Sequence, residues 1–127
     1  MVVDTSALVA LCLDEDDADR FEAALVDSPE TVMSVANVVE AAMVLSRHGD
    51  AAMLLDPALE RLGIRPMDVT QDQAWLARSG FRAYGKGSGH PARLNFGGCF
   101  AYALARSLDA PLLFKGDDFT HTDVKVA

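Results

Sequence analysis

Four carboxylates of this chain follow apolar segments, and together they could bind a hard cation. The first, Asp4, follows two β-branched valines that predict a short buried strand, and it precedes a helical segment that starts at Ser6. Open α/β sheets place their sites at the carboxyl ends of the strands, so Asp4 could project into a crevice there. Asp4 could equally cap the helix by accepting hydrogen bonds from its backbone N–H groups.

The other three carboxylates occur in similar positions. Glu40 lies one to two turns into a helix after the second predicted strand, and its neighbours at 38, 39, 41 and 42 are all Val or Ala. That pattern predicts an enclosed carboxylate, which needs a metal or another cation as a partner. The alternative is an exposed Glu on an amphipathic helix. Asp117 and Asp118 follow the fourth predicted strand, where acidic residues also occur simply as caps.

Acids at the ends of successive strands, without a His/Cys ligand set, suit Mg²⁺ or Mn²⁺, which take oxygen ligands and keep bound waters. Such an ion can activate water and stabilise the charge on a phosphodiester during cleavage. The histidines His48, His90 and His121 are scattered over predicted loops and helix ends, so none is favoured as catalytic. Cys12 and Cys99 lie in apolar helical patterns, which predict buried thiols rather than a disulfide or a zinc site.

The charge of the chain is strongly asymmetric. A net charge of −8 argues against a general nucleic-acid binder, yet no Asp or Glu occurs from Gln73 to Leu108. The same stretch holds five basic residues: Arg78, Arg82, Lys86, Arg93 and Arg106. The first three are spaced i, i+4, i+8, so a helix would place them on one face. This face is interpreted either as a phosphate-binding surface or as an ordinary solvated helix face.

Apolar and polar segments alternate in a βα rhythm that must position these side chains. Strands are predicted at 1–4, 31–34, 64–67 and 112–114, with a further edge strand near Val124. Helices are predicted at 6–13, 16–26, 36–47, 51–62 and 97–107, and Thr70 is expected to cap another that contains Ala74 and Tyr84. Short parallel strands among longer helices predict a three-layer α/β/α sandwich, expected to form a single domain over 1–127.

Cellular location is predicted from the apolar pattern. No apolar run approaches the roughly 18–20 residues that a membrane span needs. The start of the chain lacks the basic region of a signal peptide. A cytoplasmic protein without membrane partners is therefore expected.

The chain resembles the PIN-domain proteins, and specifically the VapC toxins of bacterial VapBC toxin–antitoxin systems. Four segments carry the resemblance in family order, at 3–8, 34–40, 94–105 and 112–119. The most specific is Leu-Asn-Phe-Gly-Gly-Cys at 94–99, which is very close to the family's Leu-Asn-Phe-Gly-Asp-Cys. The resemblance implies a PIN-like fold with a mostly parallel sheet of four or five strands. It also implies a Mg²⁺- or Mn²⁺-dependent endoribonuclease, a homodimer, and a VapB-type antitoxin that forms a heterotetramer or larger complex with it.

The resemblance also assigns site residues. Asp4 and Glu40 match the first two acids of the family, and Asp117, or its neighbour Asp118, matches the fourth. The family's third acid, which together with Asp4 holds the metal, falls at Gly98 in this chain. Because metal affinity follows the number and charge of the ligands, weak metal binding and impaired RNA cleavage are expected.

Three explanations for Gly98 stay open. It could be a substitution introduced so that a toxin can be expressed, which the otherwise intact motif favours. It could be a natural inactive variant, or Asp117 and Asp118 could compensate for the missing acid.

Two other functional classes also compete with the nuclease. A response-regulator phosphoacceptor would need an acidic pair at the first strand, where this chain has only Asp4. A catalytically inactive PIN-fold module that binds RNA or an antitoxin is favoured by Gly98.

Two binding surfaces are predicted. The first two helices carry more apolar residues than are needed to cover one face of a thin sheet: Leu8, Leu11, Leu13, Phe21 and Leu25. Part of this set is expected to form a groove for an amphipathic antitoxin segment. The alternative is that all five side chains pack in the core. RNA phosphates are expected to contact four basic residues, with the 85–91 loop selecting bases: Arg78, Arg82, Lys86 and Arg93.

Overall fold

A computed structural model describes residues 1–127, with six α-helices around a four-stranded sheet. The strands are β1 (Val2–Val3), β2 (Thr31–Ser34), β3 (Ile64–Met67) and β4 (Leu112–Leu113). The helices are α1 (Thr5–Cys12), α2 (Ala18–Val26), α3 (Val35–Leu45), α4 (Ala51–Arg61), α5 (Gln71–Tyr84) and α6 (Phe96–Leu108). A 3-10 turn spans Asp118–His121.

The sheet is entirely parallel, with the strand order β3-β2-β1-β4. Successive strand residues point to opposite faces, so Val2 packs into one apolar cluster with α5 and α6. Val3 packs into the other, with α1 to α4. This arrangement confirms the predicted three-layer α/β/α sandwich. The predicted edge strand near Val124 is reduced to a single parallel bridge between Leu112 and Val126.

Side-chain caps set the starts of the helices. Asp4, Ser34 and Asp50 each accept a hydrogen bond from the backbone two residues ahead, and Thr70 and Asn95 do so three residues ahead. Each of these oxygens satisfies an N–H group that has no partner within its helix. The observed starts and ends differ from the predicted ones by one or two residues, as is usual for helix ends.

The predicted groove on α1 and α2 is wrong for four of its five residues. Leu8, Leu11, Phe21 and Leu25 are at most 7% exposed within the single chain, and only Leu13 is partly exposed. The reason is that α1 lies between the sheet and the other helices of its layer, so both of its sides are covered.

Among all six helices, none combines the length and apolar character that a membrane crossing requires.

Candidate active site

A cavity of about 380 Å³ opens where β1 and β4 end and α6 begins. Its walls come from the start of α1, the middle of α3, the first turn of α6 and the segment after β4. The polar residues that line it are Asp4, Thr5, Ser6, Glu15, Glu40, Asn95, Lys115 and Asp118. Residues far apart in the chain thus share one polar crevice at the carboxyl edge of the sheet.

Asp4 both caps α1 and lines this cavity. Its Oδ2 atom accepts hydrogen bonds from the Ser6 backbone N–H (2.9 Å) and from Ser6 Oγ (2.6 Å). Ser6 Oγ in turn accepts a bond from the backbone N–H of Lys115 (3.0 Å), which ties the segment after β4 to α1. Burial raises the pKa of Asp4, and the nearby Glu40 charge raises it further, while the bonds from Ser6 lower it. Both interpretations of Asp4 therefore hold together.

Hydrogen bonds from neighbouring side chains hold the Glu40 carboxylate in place, and the apolar residues next to it in the sequence do not enclose it. Its Oε2 atom accepts hydrogen bonds from Thr5 Oγ1 (2.5 Å) and Asn37 Nδ2 (3.3 Å). The predicted enclosure of this stretch of helix is wrong for Val39, which is 61% exposed, and Glu40 itself is partly exposed. Polar contacts from α1 and from the preceding turn of α3 hold the carboxylate at the cavity wall.

Position 98 faces the same cavity. Gly98 is buried in the first turn of α6, where its backbone N–H donates to the capping Asn95 Oδ1 (2.7 Å). A Cβ atom at this position would lie 3.2 Å from Asn95 Oδ1 and 3.5 Å from the Phe119 ring. A side chain at 98 thus requires only a small adjustment of Asn95.

The segment after β4 contributes Asp118, not Asp117, to the cavity. Asp118 begins the 3-10 turn and lines the crevice with Asp4 and Glu40. Asp117 lines a separate depression beside Arg20. Of the two residues that the sequence left open, the structure brings Asp118 to the other acids.

The donor set fits Mg²⁺ or Mn²⁺ only in a sparsely ligated form. No three His, Cys, Asp or Glu side chains lie close enough together to share one metal ion. Asp4 and Glu40 are nevertheless close enough for the charge of one to raise the pKa of the other. Mg²⁺ is commonly bound through one or two carboxylates while it keeps several waters, so two cavity carboxylates suffice for that mode.

Lys115 is the only basic side chain that lines the cavity. Its Nζ lies 2.5 Å from Glu15 Oε2 and 3.5 Å from Asp17 Oδ2. The hydrogen bond to Glu15 raises the pKa of Lys115 above its ordinary value. The sequence had given no role to Lys115, Ser6, Thr5, Asn37 or Gly97. A usable signal existed for Asn37, because it lies three residues before Glu40 on one helix face.

Comparison with known proteins agrees with this geometry. The sequence model of the PIN domain matches residues 1–125. The chain belongs to the PIN-domain family. Ribonuclease VapC42 of Mycobacterium tuberculosis is 46% identical over 100% of this PIN domain and 98% of that protein. Ribonuclease VapC30 of the same organism is 49% identical over 98% of this chain and 95% of its own length. These identities place this PIN domain among the VapC proteins.

Solved structures show the same fold. VapC20 of Mycobacterium tuberculosis, described as a toxin that cleaves the sarcin–ricin loop, superposes with a TM-score of 0.77 at 18% identity over 99% of this chain and 97% of that one. A chain from a toxin–antitoxin complex of Klebsiella pneumoniae superposes with a TM-score of 0.72 at 16% identity, over 99% and 95% of the two chains. The predicted PIN-like fold is thereby confirmed.

The four basic residues predicted to bind RNA are all exposed and lie outside the cavity. Arg78 and Arg82 lie on α5, but the helix ends at Tyr84, so the assumed helical spacing is wrong for Lys86. The loop ends are paired, because Lys86 N–H donates to the Leu94 carbonyl (2.9 Å) and Leu94 N–H donates to that of Tyr84 (2.8 Å). Lys86 and Arg93 therefore belong to a paired loop rather than to the helix face.

A second surface of this PIN domain is apolar and aromatic. A groove of about 610 Å³ between α5 and α6 is lined by one basic and six apolar residues: Ala74, Ala77, Arg78, Phe81, Phe96, Cys99 and Phe100. We call these residues, with the adjacent Trp75, the α5–α6 face. Trp75 and Phe96 are 67% and 81% exposed, and the Arg78 guanidinium lies 5.4 Å from the centre of the Trp75 ring. The face thus leaves large aromatic side chains exposed beside an apolar groove, which is a feature of interaction surfaces.

Proposed function

We propose that this PIN domain is a metal-dependent endoribonuclease and the toxin of a type II toxin–antitoxin system. The observation that carries the proposal is the meeting of Asp4 and Glu40 in one cavity at the carboxyl edge of the sheet, although they are 36 positions apart in the chain. The names of the relatives support it, because VapC42 and VapC30 are both ribonucleases.

Four side chains would carry the chemistry. Asp4 and Glu40 would hold Mg²⁺ or Mn²⁺ together with waters, and Asp118, which takes the place first assigned to Asp117, would contact the ion through one of these waters. When bound, the ion supplies activation of water and neutralises charge on the phosphodiester. Ser6 occupies Asp4 Oδ2, which leaves Oδ1 available to the ion. The Lys115 ammonium adds a positive charge that attracts the phosphate into an otherwise acidic crevice.

Gly98 is expected to impair this chain. The resemblance to VapC toxins places a metal-binding acid at this position, and Gly supplies no side-chain ligand. A site with one charge fewer binds a divalent ion more weakly. This observation also favours the second candidate function, an inactive PIN-fold module that binds RNA or an antitoxin.

We also propose the partners that this function requires. A VapB-type antitoxin would neutralise the toxin, and the structural similarity to a toxin–antitoxin complex supports this assignment. The α5–α6 face supports a homodimer, because it leaves Trp75 and Phe96 largely exposed on one side of the molecule. Two such chains with their antitoxins would form a heterotetramer or a larger complex. The RNA substrate and the antitoxin imply action in the cytoplasm.

RNA cleavage by this chain and by its Gly98→Asp variant tests the proposal. With Mg²⁺ or Mn²⁺, we expect Gly98→Asp to cleave about 10- to 100-fold faster than the parent, as is typical when a metal site gains a supporting group. Excess EDTA should abolish the cleavage. Glu40→Gln in the Gly98→Asp chain should lower the rate by at least ~100-fold. Tight RNA or antitoxin binding without cleavage by either chain would instead establish the binding module.

A further inference from the structure

A buried amide that the proposed chemistry does not use lies against Glu40. Asn37, on α3, is completely buried. Its Nδ2 atom approaches three oxygens: Gly97 O on α6 (2.9 Å), Thr5 Oγ1 on α1 (3.2 Å) and Glu40 Oε2 (3.3 Å). One side chain therefore connects the three helices that surround the cavity.

The surroundings determine which way the Asn37 amide points. The reversed orientation would place Oδ1 against a carbonyl and a carboxylate oxygen, which cannot donate hydrogen bonds. In the observed orientation Oδ1 accepts no hydrogen bond from another protein group. The three oxygens that Nδ2 approaches therefore fix the orientation of the amide.

Two further residues hold the same carboxylate. Thr5 Oγ1 donates to Glu40 Oε2, and it also accepts from Asn37 Nδ2, so both donors act on one oxygen. Gly97 provides the space, because a Cβ atom at this position would overlap the Glu40 carboxylate. Helix propensity would favour alanine over glycine at this position of α6. The space that the Glu40 carboxylate needs therefore explains the glycine.

We infer that Asn37, Thr5 and Gly97 form a clamp that fixes the Glu40 carboxylate for reaction, with Asn37 as its central positioning residue. The two donors occupy Oε2 and leave Oε1 available for the ion or for the attacking water. A carboxylate held in this way is already oriented before RNA binds, which is how positioning groups raise a reaction rate. This inference rests on the proposed nuclease function.

The test compares cleavage by clamp variants in the Gly98→Asp chain. Asn37→Ala and Thr5→Val should lower kcat about 10- to 100-fold while KM changes by less than about twofold. Thr5→Ser keeps the hydroxyl and should retain most of the activity. Gly97→Ala should stay folded, because only the flexible Glu40 side chain has to move, and should lose as much kcat as Asn37→Ala. Thr31→Val, a buried polar position on β2 outside the cavity, is the control.

Mn²⁺ affinity, measured by water-proton relaxation, separates this inference from the proposed function. If Asn37→Ala weakens Mn²⁺ binding about tenfold relative to Thr31→Val, the clamp is supported even when no chain cleaves RNA. Equal kcat values and equal Mn²⁺ affinities in Asn37→Ala and Thr31→Val would overturn the clamp while leaving the nuclease intact. If neither the parent nor Gly98→Asp binds Mn²⁺ or cleaves RNA, both proposals fall.

Discussion

At the scale of single residues, the cavity depends on side chains that have two tasks. Asp4 caps α1 through Ser6 and also presents a buried carboxylate to the cavity. Capping alone would be served by an exposed oxygen, as at Asp50. The burial of Asp4 therefore costs stability that the fold does not require, and such a cost is typical of functional sites.

Asp4→Asn is expected to stabilise the metal-free protein at neutral pH. Because the pKa of Asp4 is raised in the folded state, the native chain binds its proton more tightly than the unfolded chain does. The resulting stability is present at acidic pH and is lost as the pH rises through the folded-state pKa. Asparagine removes the charge and keeps an oxygen for Ser6. Thermal unfolding in EDTA at pH 7 should show a Tm higher by about 2–5 °C, or ~1 kcal/mol.

The gain in Tm should shrink on acidification towards the ordinary pKa of an aspartate, where Asp4 is protonated as well. Asp14→Asn, at an exposed position, is the matched control and should leave Tm nearly unchanged. A Tm for Asp4→Asn that lies below the parent at pH 7 would show that the charged carboxylate stabilises the fold.

At the scale of elements, α5 carries two different surfaces. Arg78 belongs to the α5–α6 face through its contact with Trp75, whereas Arg82 is exposed near the end of the helix. Lys86 continues from α5 in the paired loop that also holds Arg93. If the α5–α6 face is covered by a second copy, Arg78 is covered with it. Arg82 and Lys86 are then the better candidates for phosphate contacts.

Replacement of Arg82 and Lys86 by Ala is expected to weaken RNA binding without changing the fold. Each phosphate contact releases counterions, so the loss of two should reduce the slope of log K against log salt by about 2. Filter binding or fluorescence anisotropy of labelled RNA across a salt series measures this slope. Arg47→Ala is the control, because Arg47 is also exposed but lies outside the acid-free stretch of residues 73–108. An unchanged affinity of the double variant at about 0.1 M salt would show that this surface is merely solvated.

At the scale of the whole molecule, the distribution of apolar surface favours self-association. The cores on both faces of the sheet are filled, with Phe21 and Leu104 completely buried. Trp75 and Phe96 nevertheless stay exposed together on the α5–α6 face. Large aromatic side chains of this kind are the usual anchors of protein interfaces.

Phe96→Asp is therefore expected to prevent formation of the proposed homodimer. A charge at the centre of an apolar interface should raise the dimer dissociation constant by at least ~30-fold, measured by sedimentation equilibrium. Met53→Asp places the same charge at a similarly exposed position on α4 and should leave the dimer intact. A parent chain that stays monomeric at high concentration would contradict the homodimer, and a dimer that only Met53→Asp disrupts would move the interface to α4.

The sequence by itself determined the layers of the fold and the edge at which the site lies. Hydrophobic periodicity is a local property, so β2 and β3 were predicted to the residue, and the five helices with predicted bounds to within two residues. Parallel strands must end on the same edge, and residues at strand ends such as Asp4 meet there. The cavity was thus predictable from Asp4 and Glu40 before any contact was known.

Only the tertiary structure decided which neighbours complete the site. The conformation of the turn after β4 places Asp118 in the cavity and Asp117 in a separate depression. The periodicity of the sequence cannot distinguish two adjacent acids. The contact of Asn37 with Gly97 spans 60 positions in the chain. The burial of Leu8 and Phe21 likewise depends on how the helices pack over one another. Such contacts arise from the packing of elements distant in sequence, and local spacing contains no record of them.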